Sequence, residues 1–255
     1  MIHETAIVHP NADVARGVDI GPYSIVGENV KIGKGTRLQA HVVINGWTEI
    51  GEDCDIFPFA TIGASSQDRK YKGERAFTKV GDRTVLREYV SVQRATGEDE
   101  STLVGDDCLL LAYVHIAHNC IIGNSVTMSN LAQLAGHVIV GDFATIGGQA
   151  GVHQFVRIGR YAMVGGATKV PQDVPPFFLV AGQPTAPYGL NSVGLRRAGF
   201  TINERNEIKK FYKLLYNPTL NVSQALEQMK AEVSTPSGKE LIDFIEAPSL
   251  RGILK

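Results

Sequence analysis

One register of aliphatic residues runs through two thirds of this chain. Stepping by six from Ile2 meets Val8, Val14, Ile20, Val26, Ile32, Leu38, Ile44, Ile50, Ile56 and Ile62, and the same register returns at Val80 and holds to Val170. Of the 29 positions from 2 to 170, 26 are Ile, Val, Leu or Met, with misses only at Asp68, Glu74 and Glu98. A period of six suits neither a helix at 3.6 nor a lone strand at 2. It is the signature of hexapeptide repeats, in which three short strands and their turns make one triangular coil of about 18 residues. Gly follows the aliphatic at positions such as 21, 33, 51, 81, 105, 123 and 141, which suggests a corner that needs a residue without a β-carbon. Four places after each aliphatic the residue is small or β-branched, as at Val18, Thr36, Cys54, Val114, Cys120 and Ala132. The pattern predicts a left-handed parallel β-helix of nine or ten coils, stacked about 4.8 Å apart.

Val170-Pro171-Gln172-Asp173-Val174-Pro175-Pro176 ends the repeat, because proline cannot continue a ladder. From Ala198 the period turns helical, and Thr201-x-x-Glu204, Asn221-x-x-Gln224 and Ser237-x-x-Glu240 read as three capping boxes. The expected organisation is a β-helix domain over 1–187 and a small C-terminal α-helical domain over 188–255.

A net charge of −1 argues against a global field for nucleic acid. No stretch approaches the roughly 18 apolar residues of a membrane span, and no signal peptide fits Met1-Ile2-His3-Glu4. Cys54, Cys108 and Cys120 all fall at the small position of the repeat and read as reduced core residues of a cytoplasmic protein.

The chemistry concentrates where the repeat is broken or imidazoles gather. Ala64 to Arg75 is too polar to line a prism and must leave a corner as an excursion, a place where function collects. Arg94 to Thr102 reads as a small acidic surface loop, and His3, His9 and His41 as solvated residues. His118, His137 and His153 lie 19 and 16 residues apart, close to one coil per step, so they should share one edge beside the excursion, with His115 nearby. Such an imidazole can take a proton from a sugar hydroxyl as that oxygen attacks a carbonyl. Three histidines can equally hold zinc, as in carbonic anhydrases of the same fold, or be structural in a non-catalytic scaffold. The tail carries Arg196, Arg197, Arg205, Lys209, Lys210 and Lys213 against Glu204 and Glu207, either a solvated face or a dock for an acidic partner.

His115-Ile116-Ala117-His118-Asn119-Cys120, Leu134-Ala135-Gly136-His137-Val138, Val152-His153-Gln154-Phe155, Gln67-Asp68-Arg69-Lys70-Tyr71 and Leu195-Arg196-Arg197-Ala198-Gly199-Phe200 together resemble the UDP-N-acetylglucosamine 3-O-acyltransferases of lipid A biosynthesis. The resemblance covers essentially the whole chain. It implies a homotrimer that moves an (R)-3-hydroxyacyl group from the phosphopantetheine of acyl carrier protein to the sugar 3-position. It implies no metal, no other cofactor and no stable membrane insertion. On that pattern His118 is the general base and the Gly136 N–H an oxyanion donor. Gln67, Asp68, Lys70, Tyr71, His115 and Gln154 fall among the sugar and phosphate contacts, and His137 near the thioester. His153, Asn191 and Arg197 meet nucleotide or pantetheine, and Gly166 ends the acyl groove. Three positions depart from the pattern: Gln93 for His, Asn119 for the Asp that partners the base, and Val193 for a Glu. Asn119 can orient an imidazole through its carbonyl oxygen but cannot stabilise an imidazolium by charge. Gln93 and Val193 leave both a 3-hydroxyl and a 3-amino acceptor open.

Overall fold

The computed structural model describes residues 1–255. Short strands, most of two residues, build a three-sided prism whose faces hold nine, eight and ten strands. Face 1 climbs from Ile7–Val8 through His115–Ile116, Gln133–Leu134 and Gly151–Val152 to Lys169–Val170. Face 2 runs from Asp13–Val14 to Arg157–Ile158. Face 3 runs from Asp19–Ile20 up to Phe178–Ala181 and ends on the antiparallel strand Ala186–Leu190. This is the left-handed β-helix that the period of six predicts. The register aliphatics point inward and are nearly all buried from Ile20 to Val170. Cys54, Cys108 and Cys120 are free and buried in the same core, and burial pushes the Cys120 thiol up to about 12.

The glycines work differently from the expectation. The left-handed corner residue stands three places after the aliphatic, and it is usually not glycine: Tyr23, His41, Phe59, Tyr89, Tyr113, Asn119, His137 and Phe155 all have φ between 59° and 66° except Asn119 at 58°. Coil-to-coil bonds such as His137 N–H to His118 O at 3.0 Å hold these strained backbones in place. Because coils rise by about one ring thickness plus a gap, Tyr23, His41, Phe59, Tyr89 and Tyr113 stack with centroids 4.7–5.2 Å apart. His41 is therefore a stacked corner residue, not merely a solvated one. Gly after the aliphatic is needed for another reason: a β-carbon on Gly33 would lie 2.5 Å from the Gly51 carbonyl of the next coil.

The last prism strand runs to Leu190, three residues past the expected boundary, and helix α1 (Ser192–Arg197) follows at once. Helices α2 (Ile202–Leu215) and α3 (Val222–Glu232) start at the expected capping boxes. Helix α4 (Pro236–Glu246) does not: its cap is Thr235, with Pro236 in the first turn where no N–H is needed. Ser237 and Glu240 instead bond Glu204 and Arg160. Phe177 and Phe178 join Leu195, Ile208, Phe211, Met229, Leu241 and Ile242 in a second core that seats the helices on the prism end.

Glu207 pins that bundle from α2. Its buried carboxylate accepts from Ser234 N–H at 2.6 Å, Ser234 Oγ at 2.7 Å and Thr235 N–H at 3.1 Å, and from the Thr235 hydroxyl. Burial pushes its pKa up, but those bonds outweigh burial and hold it below the ordinary carboxylate value. Glu207→Ala is expected to destabilise the helical domain by about 2 kcal/mol near neutral pH, because it strands buried donors. A carboxyl with a depressed folded pKa stabilises above its unfolded value of about 4.3 and loses that contribution as pH falls through the folded value. Urea unfolding at pH 7 and at pH 3 should therefore show the gap between wild type and variant shrinking in acid.

Candidate active site

Every interruption of the repeat leaves the same corner, between faces 1 and 2. The first excursion joins Thr61–Ala64 to Phe77–Val80, and the second joins Ser91–Gln93 to Ser101–Val104 on the next coil. The corner of the coil above carries His118 and Asn119, the following one Gly136 and His137, and the one after that His153, Gln154 and Phe155. Stacking thus gathers residues far apart in the chain onto one ridge.

A cavity of about 780 Å³ opens on the face 1 side of this ridge. Gln67, Asp68 and Lys70 of the first excursion line it together with His115, His118, His153 and Gln154. So do Gln93 and four residues the motifs did not single out as contacts: Arg69, Gln133, Gly151 and Lys169. The last three were within reach of the sequence, since stepping one coil at a time from His115 gives 133, 151 and 169. Their register across adjacent strands makes them the cavity floor. Lys70, Arg69 and Lys169 are exposed cations around a wall with one acid, Asp68, which suits an anionic ligand.

His118 is buried at 8 % exposure. Its Nδ1 lies 2.9 Å from Asn119 Oδ1. That oxygen also accepts the Thr96 N–H, so it is an acceptor and the ring must donate from Nδ1. Nε2 is then the free basic nitrogen, and it stands 3.8 Å from Asp68 Oδ2 at the cavity. The left-handed corner is a conformation asparagine tolerates well, so one residue both turns the coil and fixes the tautomer.

Gly136 lies directly over the ring. A β-carbon there would sit 2.5 Å from His118 Cε1 and Nε2, so the imidazole occupies the space a side chain would take. At the corner between faces 2 and 3 the equivalent amides are capped by the next coil: Glu52 N–H by Asp82, Asp82 N–H by Asp106, and Asp106 N–H by Asn124. The amide of Gly136 donates to no protein atom. It is a bare donor beside the basic nitrogen.

The other histidines divide. His137 touches His118 edge to face, with centroids 5.2 Å apart, as a shared edge requires. Yet His137 opens with Phe155 and Glu100 onto a second hollow of about 600 Å³ on the face 2 side, whereas His115 and His153 face the first. Burial, then the neighbouring His118, holds His137 below the ordinary imidazole value, and burial does the same to His115, whose Nδ1 meets Ser91 Oγ at 2.7 Å. Within the single chain no three His, Cys, Asp or Glu side chains converge in metal-binding geometry.

Besides His137, four of the expected contacts lie away from the cavity. Tyr71 braces its own loop through Glu74 O and Arg94. Asn191 caps α1 through Gly194 N–H and donates to Tyr161 O, while Arg197 is exposed in the last turn of that helix. Gly166 sits at the corner between faces 3 and 1, above Gly148, on the opposite edge of face 1 from His118. The second excursion is also more than a surface loop. Thr96 bonds Asn119 and Ser66, and Gly97 N–H bonds Glu74, so it is wedged between the first loop and the base.

Comparison with known proteins agrees with this geometry along the whole chain. A family profile described as UDP N-acetylglucosamine O-acyltransferase, domain 2, matches residues 173–254. The acyl-[acyl-carrier-protein]–UDP-N-acetylglucosamine O-acyltransferase of Thermodesulfovibrio yellowstonii is 53% identical over 256 residues, spanning 100% of this chain and 99% of its own. The enzyme of the same name from Syntrophobacter fumaroxidans is 44% identical over the same spans. Among solved structures, LpxA of Acinetobacter baumannii superposes with a TM-score of 0.96 at 42% identity, covering 100% of this chain and 99% of that one. The UDP-N-acetylglucosamine acyltransferase of Bacteroides fragilis gives 0.97 at 37% identity, with 100% of both chains covered. With its hexapeptide prism, its corner histidines and this likeness over its full length, the chain belongs to the UDP-N-acetylglucosamine O-acyltransferase family.

Proposed function

We propose that the protein transfers an (R)-3-hydroxyacyl group from acyl carrier protein to the 3-hydroxyl of UDP-N-acetylglucosamine, the first step of lipid A biosynthesis. The observation that carries this reading is a single imidazole, oriented through Nδ1 by Asn119, whose Nε2 faces a large cavity with cationic walls. Nε2 takes the proton of the sugar 3-hydroxyl as that oxygen attacks the thioester carbonyl. The tetrahedral oxyanion is held by the free N–H of Gly136. Its collapse expels the pantetheine thiolate, which regains the proton from the imidazolium, and leaves a sugar ester. Asp68, His115 and Gln154 hold the sugar, and Lys70, Arg69 and Lys169 hold the diphosphate.

The trimer belongs to this reading. Gly166 and His118 stand on opposite edges of face 1, so one chain cannot bring an acyl groove at Gly166 to its own base. A neighbouring copy can. The edge between faces 3 and 1 carries the exposed stack of Tyr23, Phe59, Tyr89 and Tyr113, and then exposed Leu131, an apolar strip suited to such a neighbour. On the tail, Glu204 and Glu207 turn inward to caps, which leaves exposed Arg196, Arg197, Lys209 and Lys213 without acidic partners. That surface suits an acidic carrier protein, whose charge would speed encounter. No helix is long and apolar enough to cross a membrane, and reduced cysteines suit the cytoplasm where the carrier works.

Incubation with hydroxyacyl carrier protein and UDP-N-acetylglucosamine, read by mass spectrometry, is expected to give a monoacylated sugar nucleotide that mild alkali cleaves. No product would overturn the reading, and an alkali-stable product formed only from the 3-amino sugar would move the acceptor from oxygen to nitrogen.

A further inference from the structure

Hydrogen bonds and one close approach join the two excursion loops and the base into a ring. His118 Nδ1 meets Asn119 Oδ1 at 2.9 Å. That oxygen accepts the Thr96 N–H at 2.9 Å, while Asn119 Nδ2 donates to Thr96 O at 3.2 Å. Thr96 Oγ1 pairs with Ser66 Oγ at 2.6 Å. Ser66 Oγ accepts the Asp68 N–H at 3.1 Å. Asp68 Oδ2 then faces His118 Nε2 at 3.8 Å, and the path has returned to the imidazole.

We propose that Thr96 and Ser66 are positioning residues whose hydroxyl pair fixes the spacing of the Asp68 carboxylate and the His118 imidazole, beside which the acceptor hydroxyl must sit to reach both. Neither side chain lines the cavity. Their influence passes through the first loop on one side and through the Asn119 amide on the other. The amide suits the ring in a way a carboxylate would not, since only Nδ2 can donate to Thr96 O, and an aspartate would set a second acceptor against that carbonyl. Thr102 Oγ1 completes the hold by accepting the Asn119 N–H at 2.8 Å. A gap of 3.8 Å is too long for a direct hydrogen bond and leaves Nε2 free for the substrate. Misplacement by about 1 Å at such a gap costs up to about 10²-fold in rate.

The proposal rests on His118 as the base, so its test has one arm that needs turnover and one that does not. Thr96→Val keeps the main-chain pairing with Asn119 and the side-chain shape but removes the hydroxyl. It is expected to lower kcat about tenfold, with the KM for acyl carrier protein and the melting temperature little changed, and Thr96→Ser should recover to within about twofold. Ser66→Ala should behave as Thr96→Val does, and the double variant should be no worse than either single one, because a ring is broken only once. Hydrogen exchange at the Asp68 amide is the arm free of turnover, expected to speed up about tenfold or more in Thr96→Val. Wild-type rate in Thr96→Val, a Thr96→Ser as slow as Thr96→Val, multiplying single effects, or unchanged Asp68 exchange would each overturn it. Absence of transfer by the wild type would sink the acyltransferase reading, while the exchange arm still decides the ring.

Discussion

Replacing His118 with alanine is expected to lower kcat/KM for acyl transfer by about 10²–10⁴-fold, the range over which a positioned general base contributes. The loss should fall on kcat. The ring is one wall of a cavity with many other polar residues, so the sugar nucleotide keeps its phosphate and sugar contacts and its affinity changes little. Fold should survive as well, because the side chain sits at a corner outside the prism core, and the neighbouring register aliphatics, Ile116 of the same coil and Leu134 of the next, are untouched. Steady-state kinetics against both substrates checks this, with the melting temperature as the control for folding. A variant that transfers as fast as wild type would remove His118 from the mechanism.

Gly136→Ala should be nearly as damaging with the base still present. The new methyl would start 2.5 Å from Cε1 and Nε2 of His118, and carbon atoms rest at about 3.5–4.0 Å, so the ring must retreat by about 1 Å. A displacement of that size costs about 10²-fold. The backbone at 136 is not left-handed, so alanine itself brings no conformational strain, which separates this variant from one that misfolds. We expect kcat to fall about 10²-fold with the sugar-nucleotide KM changed less than about threefold. A crystal structure of the variant should show the imidazole turned off its bond to Asn119 Oδ1.

The prism was legible because its rule repeats: one inward aliphatic in six is visible wherever the chain is cut. The corner chemistry was not, since tyrosine, histidine, phenylalanine, asparagine and alanine all occupy the left-handed position, held there by the coils on either side rather than by their own preference. The start of α4 was misread for a similar reason. Ser237 and Glu240 have the spacing of a capping box, but with Thr235 as cap and Pro236 in the first turn the helix begins two residues earlier, and Glu240 is drawn away by a bidentate bond to Arg160 across the domain junction. In the site, the histidines and the polar excursion stood out, whereas Lys169 and Gln133 look like any solvated face until the register stacks them on the coils above His115. The second excursion looked like a plain loop because its grip on Asn119 runs through main-chain atoms, which no side-chain pattern betrays.

The central assertion is spatial: the acceptor hydroxyl bridges Asp68 and His118 from the cavity side, near the bare amide of Gly136. A crystal structure with UDP-N-acetylglucosamine tests it most directly. The sugar 3-oxygen should lie within about 3.2 Å of His118 Nε2, with the diphosphate against Lys70, Arg69 or Lys169. A bound nucleotide sugar whose 3-oxygen points away from every imidazole would contradict the account.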